Sequence, residues 1–192
     1  KGYRRSLVET LLQARNAKVQ SKRNKESPLV RYARQIVESY LKGEKFEEAD
    51  DLTDYLRERA GAFVSIKKHG QLRGCIGTTE PTQPDILQEI KQNAISAATR
   101  DPRFEPITAA ELDDLVYSVD LLKPAEPILG IDELDPKRYG VIVKSGYRTG
   151  LLLPNLEGIE TAAEQVAIAR KKAGIGPTEP VKLERFEVVR YY

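Results

Sequence analysis

Cys75 is the only cysteine in the 192-residue chain, and its neighbours limit what it could do. It lies in Leu72-Arg73-Gly74-Cys75-Ile76-Gly77-Thr78, between two glycines and two residues after an arginine. A thiol reacts through its thiolate, and a nearby cation favours that form. Two glycines in one strand mark a bulge or the close approach of a ligand or another backbone. The stretch Ala62–Lys68 reads as a preceding strand, and His69-Gly70 as the tight turn of a hairpin, with Gly70 at positive φ. Strand alternation then puts Arg73 and Cys75 on one face. His69, the only histidine, sits at the turn, about 20 Å along the strand at about 3.3 Å per residue. A Cys-His dyad needs hydrogen-bond contact, so activation of Cys75 falls to Arg73 or to a helix N-terminus.

Further cations follow in Arg100-Asp101-Pro102-Arg103-Phe104 and in Arg148 after Gly146-Tyr147. Arginine at a helix C-terminus complements the helix dipole, and Arg103 beside Phe104 offers a cation and stacking surface. Arg73 has two readings, a salt bridge to an acid such as Asp101 or Glu80, or an anchor for an anionic ligand. Cys75 likewise reads as a small core residue or as a group lining a site. Arg73, Gly74, Gly77, Arg103 and Arg148 are the candidate ligand contacts, and Cys75 is the candidate catalytic residue. One cysteine and one histidine do not supply a soft-metal site. The chain has no phosphate-binding Walker loop, dinucleotide fingerprint or nucleophile elbow, so no cofactor is expected.

These residues must be positioned by surrounding elements. Ser6 and Glu9 form a capping box ahead of a short helix through Leu12, which gives way to a polar run over Gln20–Glu26. Ser27-Pro28 opens a stronger helix ending at Gly43. Residues 42–54 read as a surface loop. Asp85–Arg100 is an amphipathic helix. Leu115–Leu122 is a strand, and a second hairpin turns at Ser145-Gly146-Tyr147. Thr161 and Glu164 cap a helix ending at Gly174, and Val181–Tyr191 closes the chain as one strand. No internal repeat is visible. Helices interspersed with antiparallel hairpins predict an α+β fold of two lobes with a cleft between them.

Hydrophobic residues make up 40% of the chain and charged residues 31%, as in a globular domain. No apolar run reaches the roughly 20 residues of a membrane helix, and a lone cysteine fits a reducing cytoplasm. Residues 1–25 hold eight basic residues and one acid, a net +7, while the remainder carries −5 of the total +2. Residues 1–26 therefore read as a basic arm or linker that binds polyanions weakly, in front of a domain at 27–192. The chain starts at lysine and has no methionine, which reads as a processed, trimmed or fused segment.

The Leu72–Gly77 hexapeptide, the Arg100–Phe104 stretch, Ser118-Val119 and Gly150-Leu151-Leu152-Leu153-Pro154 resemble the AmmeMemoRadiSam system protein A family, microbial relatives of the AMME-syndrome candidate protein. The resemblance runs from about Pro28 to Tyr191. It implies a two-subdomain α+β fold with the hexapeptide near a cleft. It also implies a modification pathway shared with Memo-type and radical-SAM proteins as partners. It implies no particular reaction, so whether the chain is an enzyme stays open. Three functions follow: a pathway component binding a small or extended polar ligand at Cys75 and Arg73, a non-catalytic adaptor with a structural Cys75, or an RNA-associated protein. RNA recognition usually employs exposed aromatics, and aromatics are 7% of this chain.

Overall fold

Helix α2 (Pro28–Lys42) shows how the local signals act. Pro28 occupies its first turn after an extended Ser27, and Gly43 at φ 69° ends it in the left-handed region. Leu29, Val30, Tyr32, Ala33, Ile36 and Val37 are buried on one face. The chain is described by a computed structural model covering residues 2–46 and 50–192. It divides into two compact units, the chain up to Leu121 with Arg190–Tyr192, and Leu122–Val189.

In the first unit, β1 (Gly61–Lys68) and β2 (Gln71–Gly77) form the expected hairpin, followed by helix α3 (Ile86–Thr99). Strand β3 (Leu115–Leu122) and the final strand, Val188–Tyr191, complete a four-stranded sheet ordered β2-β1-β3 and then that final strand. Helices α2 and α3 share one core with the inward residues Val64, Ile66, Leu115, Tyr117 and Val119. The second unit contains β4 (Glu126–Ile128), the hairpin β5 (Gly140–Ser145) and β6 (Arg148–Leu152), helix α4 (Ala162–Lys172) and β7 (Lys182–Phe186). Its sheet order is β4-β7-β5-β6, with all three pairings antiparallel. Val141, Val143, Val166 and Ala169 are at its core. This is an α+β architecture.

The two units repeat one plan that the residues do not advertise. Each is a hairpin, a helix and a third strand returning beside the hairpin's first strand, with a fourth strand outside it. Each also seats a strand glycine against a helix carbonyl. A Cβ on Gly74 would strike the Ala97 carbonyl of α3, and one on Gly150 would strike the Ala169 carbonyl of α4. Only glycine allows helix and strand to approach so closely.

Three expectations are corrected. The N-terminal helix α1 runs over Gly2–Arg23, so Ser6 lies inside it and no polar break follows Leu12. Residues 50–57 form a 3-10 helix that buries Leu52, and the surface-loop reading holds only outside it; residues 47–49 are outside those described. The last strand is two, β7 in one sheet and Val188–Tyr191, now β8, in the other. Glu187 divides them, its carbonyl accepting from Lys123 N–H and its carboxylate pairing with Lys123 and Arg138. Among the described residues no helix is long and apolar enough to cross a membrane.

Candidate ligand site around Cys75

The hairpin register decides where the thiol points. Counting back from the His69-Gly70 turn pairs Lys68 with Gln71 and Lys67 with Leu72. An unbroken count would then set Arg73 opposite Ile66 and Cys75 opposite Val64, on the core face. Instead a β-bulge leaves Arg73 unpaired, so that Gly74 faces Ile66 and Cys75 faces Ser65. Cys75 is thereby moved off the core face. Its Sγ lies 3.1 Å from Ser65 Oγ.

The loop after α3 holds the outer edge of β2 at this residue. Cys75 N–H donates to Asp101 Oδ2 at 2.9 Å, and Arg103 Nη2 donates to the Cys75 carbonyl at 3.2 Å. Arg103 in turn forks onto both Asp101 oxygens, at 3.0 and 2.8 Å. The Asp101–Arg103 pair thus does for an edge strand what a neighbouring strand would do, blocking further pairing. The Arg103 side chain remains 56% exposed and lies over the Phe104 ring at 5.5 Å. The Arg103 hydrogen bonds, outweighing the cost of burial, hold Asp101 down at about 2.

The thiol itself is half-buried. Burial pushes its pKa above the ordinary value, against the opposing pull of the Ser65 hydrogen bond and the Arg103 charge. Asp101 and Asp120 push it the same way as burial. At neutral pH Cys75 is therefore a protonated thiol, fit to donate a hydrogen bond or a proton and poorly suited to attack.

Arg73 takes no part in this electrostatics. The bulge ends the alternation that would have kept it beside Cys75, and its hydrogen bonds go elsewhere. It forks onto Glu111 at 3.0 and 3.1 Å and donates to the carbonyls of Glu105 and Pro106. Lys68 reaches the same carboxylate at 3.0 Å. Glu111 also accepts from Thr108 N–H at the start of its 3-10 turn. The Arg73 bond, with burial opposing it, holds Glu111 at about 2. Arg73 is thus ion-paired, to Glu111 instead of Asp101 or Glu80, and the cation beside the thiol is Arg103.

Gly74 is accounted for by the α3 backbone and Gly77 by the Phe63 ring, which occupies the space of its missing side chain across the hairpin. Arg148 belongs to the second unit, where it pairs with Glu179 at 2.7 Å and donates to the Gly174 carbonyl. Ser65 escaped the sequence reading because only the bulge brings it to Cys75. Asp120 escaped as well; it is buried and grips Arg190 at 2.7 and 2.9 Å. A lone acid in an otherwise apolar strand was the signal available for it. Among the described residues no group of three or more His, Cys, Asp or Glu side chains is placed to hold a metal ion.

A doubled hairpin-helix-strand fold carrying one half-buried thiol defines the class, and the chain belongs to the AMMECR1 family, whose model matches residues 30–191. It is 51% identical over 170 residues to a Thermotoga maritima protein, covering 86% of this chain and 98% of that one. Protein CA_C1420 of Clostridium acetobutylicum is 45% identical over 189 residues. That covers 97% of this chain but 40% of the relative, so the chain spans less than half of that protein. The crystal structure of PH0010 from Pyrococcus horikoshii is similar with a TM-score of 0.77 at 35% identity, covering 84% of this chain and 88% of that one.

Proposed function

We propose that this AMMECR1 domain is the ligand-binding component of a modification pathway, and that it seats an anionic or carbonyl-bearing group against Arg103 beside the protonated Cys75 thiol. One observation carries the reading. Arg103 is fixed by Asp101 and by the Cys75 carbonyl, yet more than half of its side chain is exposed. A guanidinium so anchored loses little freedom on binding a planar anion. The raised thiol pKa favours Cys75 as hydrogen-bond donor or general acid over nucleophile. Memo-type and radical-SAM proteins are the proposed pathway partners, on the family resemblance alone, and the cytoplasm the proposed compartment, on the unpaired cysteine.

The test is an unbiased small-molecule binding screen on the purified chain, run in parallel on Arg103→Ala, Cys75→Ser and Arg148→Ala. A ligand retained by the wild type and Arg148→Ala but lost from Arg103→Ala supports the site. A ligand indifferent to Arg103→Ala and Cys75→Ser moves it elsewhere. A domain with no small ligand, whose partner proteins bind Cys75→Ser unchanged, is an adaptor.

A further inference from the structure

Helix α1 is not merely a charged arm, because part of it forms one wall of a groove. Val19, 6% exposed, packs inward, and Arg23 donates to the Leu112 and Leu115 carbonyls. Around Val19, Arg15, Lys18 and Lys22 fall on the same side of the helix at i, i+3 and i+7. They line a cavity of about 260 Å³ whose opposite wall is the His69-Gly70 turn, Asp114 and Val116. Val19 and Val116 give it an apolar floor, and the three cations give it a basic rim.

These three cations differ from most arginines of the chain in their pairing. Arg34, Arg73, Arg103, Arg148, Arg185 and Arg190 each grip a carboxylate. Arg15, Lys18 and Lys22 have no ion-pair partner among the described residues. The one acid of the groove, Asp114, has its Oδ2 at 3.5 Å from Nε2 of His69, which shares its wall. Three cations against one acid leave the groove net positive, and a concave site dominated by one sign of charge concentrates its field and attracts counter-ions. From Arg15 to Lys22 the row spans about 10.5 Å, at 1.5 Å per residue.

We propose that this groove binds a phosphate chain, as found in a nucleoside triphosphate or in inorganic polyphosphate. A row of three donors over that length suits successive phosphates better than a single carboxylate. The small volume suits a compact ligand. A long nucleic-acid strand would leave most of its length outside a cavity of this size. The groove shares no lining residue with Cys75, Ser65, Asp101 or Arg103, so its success or failure is independent of the function proposed above.

The test is calorimetric titration of the full chain with tripolyphosphate, ATP and a single-stranded oligonucleotide at about 50 mM salt. Wild type should bind tripolyphosphate and ATP. Lys18→Glu and Lys22→Glu should each weaken both by about tenfold or more, while Lys42→Glu, the same charge change at an exposed site outside the groove, should not. Equal affinities would assign the phosphate chain alone, and tighter ATP binding would add the Val19 and Val116 floor to the site. Equal loss in Lys42→Glu would reduce the binding to net charge and overturn the proposal. So would the absence of tripolyphosphate and ATP binding, or a preference for the oligonucleotide that Lys18→Glu leaves intact.

Discussion

At the scale of single residues, the thiol and the glycine before it pose opposite demands. Gly74 has no room for a side chain, because the Ala97 carbonyl occupies its place. Gly74→Val should therefore push α3 off the sheet and cost about 3 kcal/mol or more. A melting temperature equal to wild type would remove this packing argument. Cys75 has room but the wrong protonation state for attack. Its alkylation by iodoacetamide should be slow at pH 7 and rise only at pH values above the ordinary thiol range. Arg103→Ala removes a charge that favours the thiolate, so the profile should shift to still higher pH. Arg73→Ala should leave the profile in place, since Arg73 is spent on Glu111. If instead Arg73→Ala moves the profile and Arg103→Ala does not, the assignment of the two arginines is reversed.

At the scale of elements, two helices are tied to the sheet by polar groups that ordinary hydrophobic patterning does not reveal. Glu89 of α3 is fully buried, and its carboxylate accepts from Thr78, from Thr82 through both N–H and hydroxyl, and from Gln83 N–H. Burial raises its pKa, but these bonds outweigh it and keep the carboxyl below the usual range. Glu89→Gln replaces one acceptor oxygen with a donor facing donors. It should cost about 2 kcal/mol or more, read as a lower denaturant midpoint at unchanged slope. Helix α1 behaves as two halves. Leu7, Val8, Leu11 and Leu12 are largely exposed, whereas Val19, Arg23 and, just past the helix end, the Glu26–Arg34 pair at 2.9 Å join it to the rest of the first unit. Deleting residues 1–14 should change the melting temperature little. Deletion through Glu26 should lower stability by about 3 kcal/mol, since it strands buried partners. Equal melting temperatures for both truncations would make the whole arm dispensable.

At the scale of the whole molecule, acid should act first on one unit. Asp101 and Glu111, held at about 2, both belong to the first unit. Unfolded Asp and Glu titrate near 4, so both groups stabilise the native state above about pH 4, and that contribution is lost as pH falls toward 2. In the second unit Glu164, Glu179 and Glu187 are shifted the same way, but Glu164 is exposed and the other two are more accessible than Asp101 and Glu111, so screening weakens the effect there. Amide exchange at pH 3 should therefore accelerate in β1, β2 and α3 before β5, β6 and β7, and the reverse order would contradict this account. The shared plan of the two units is what makes that comparison like for like. The sequence by itself determined helices α2, α3 and α4, both hairpins with their glycine turns, the α+β class and the family, because those signals are local or lie in one short motif; the Ser6–Glu9 capping signal was the local one that misled, since α1 already runs through it. It also pointed to Cys75 and Arg103 by residue type. Only the tertiary structure decided which arginine serves the thiol. One unpaired residue in β2 reverses the face of everything after it, and no periodicity records a bulge. The repeat of the two units was hidden for a related reason: it rests on strand order and on two glycine-to-helix contacts, which different residues satisfy equally well. The groove along α1 likewise depended on the helix continuing to Arg23 and docking through Val19, a long-range contact that a polar stretch of sequence does not announce.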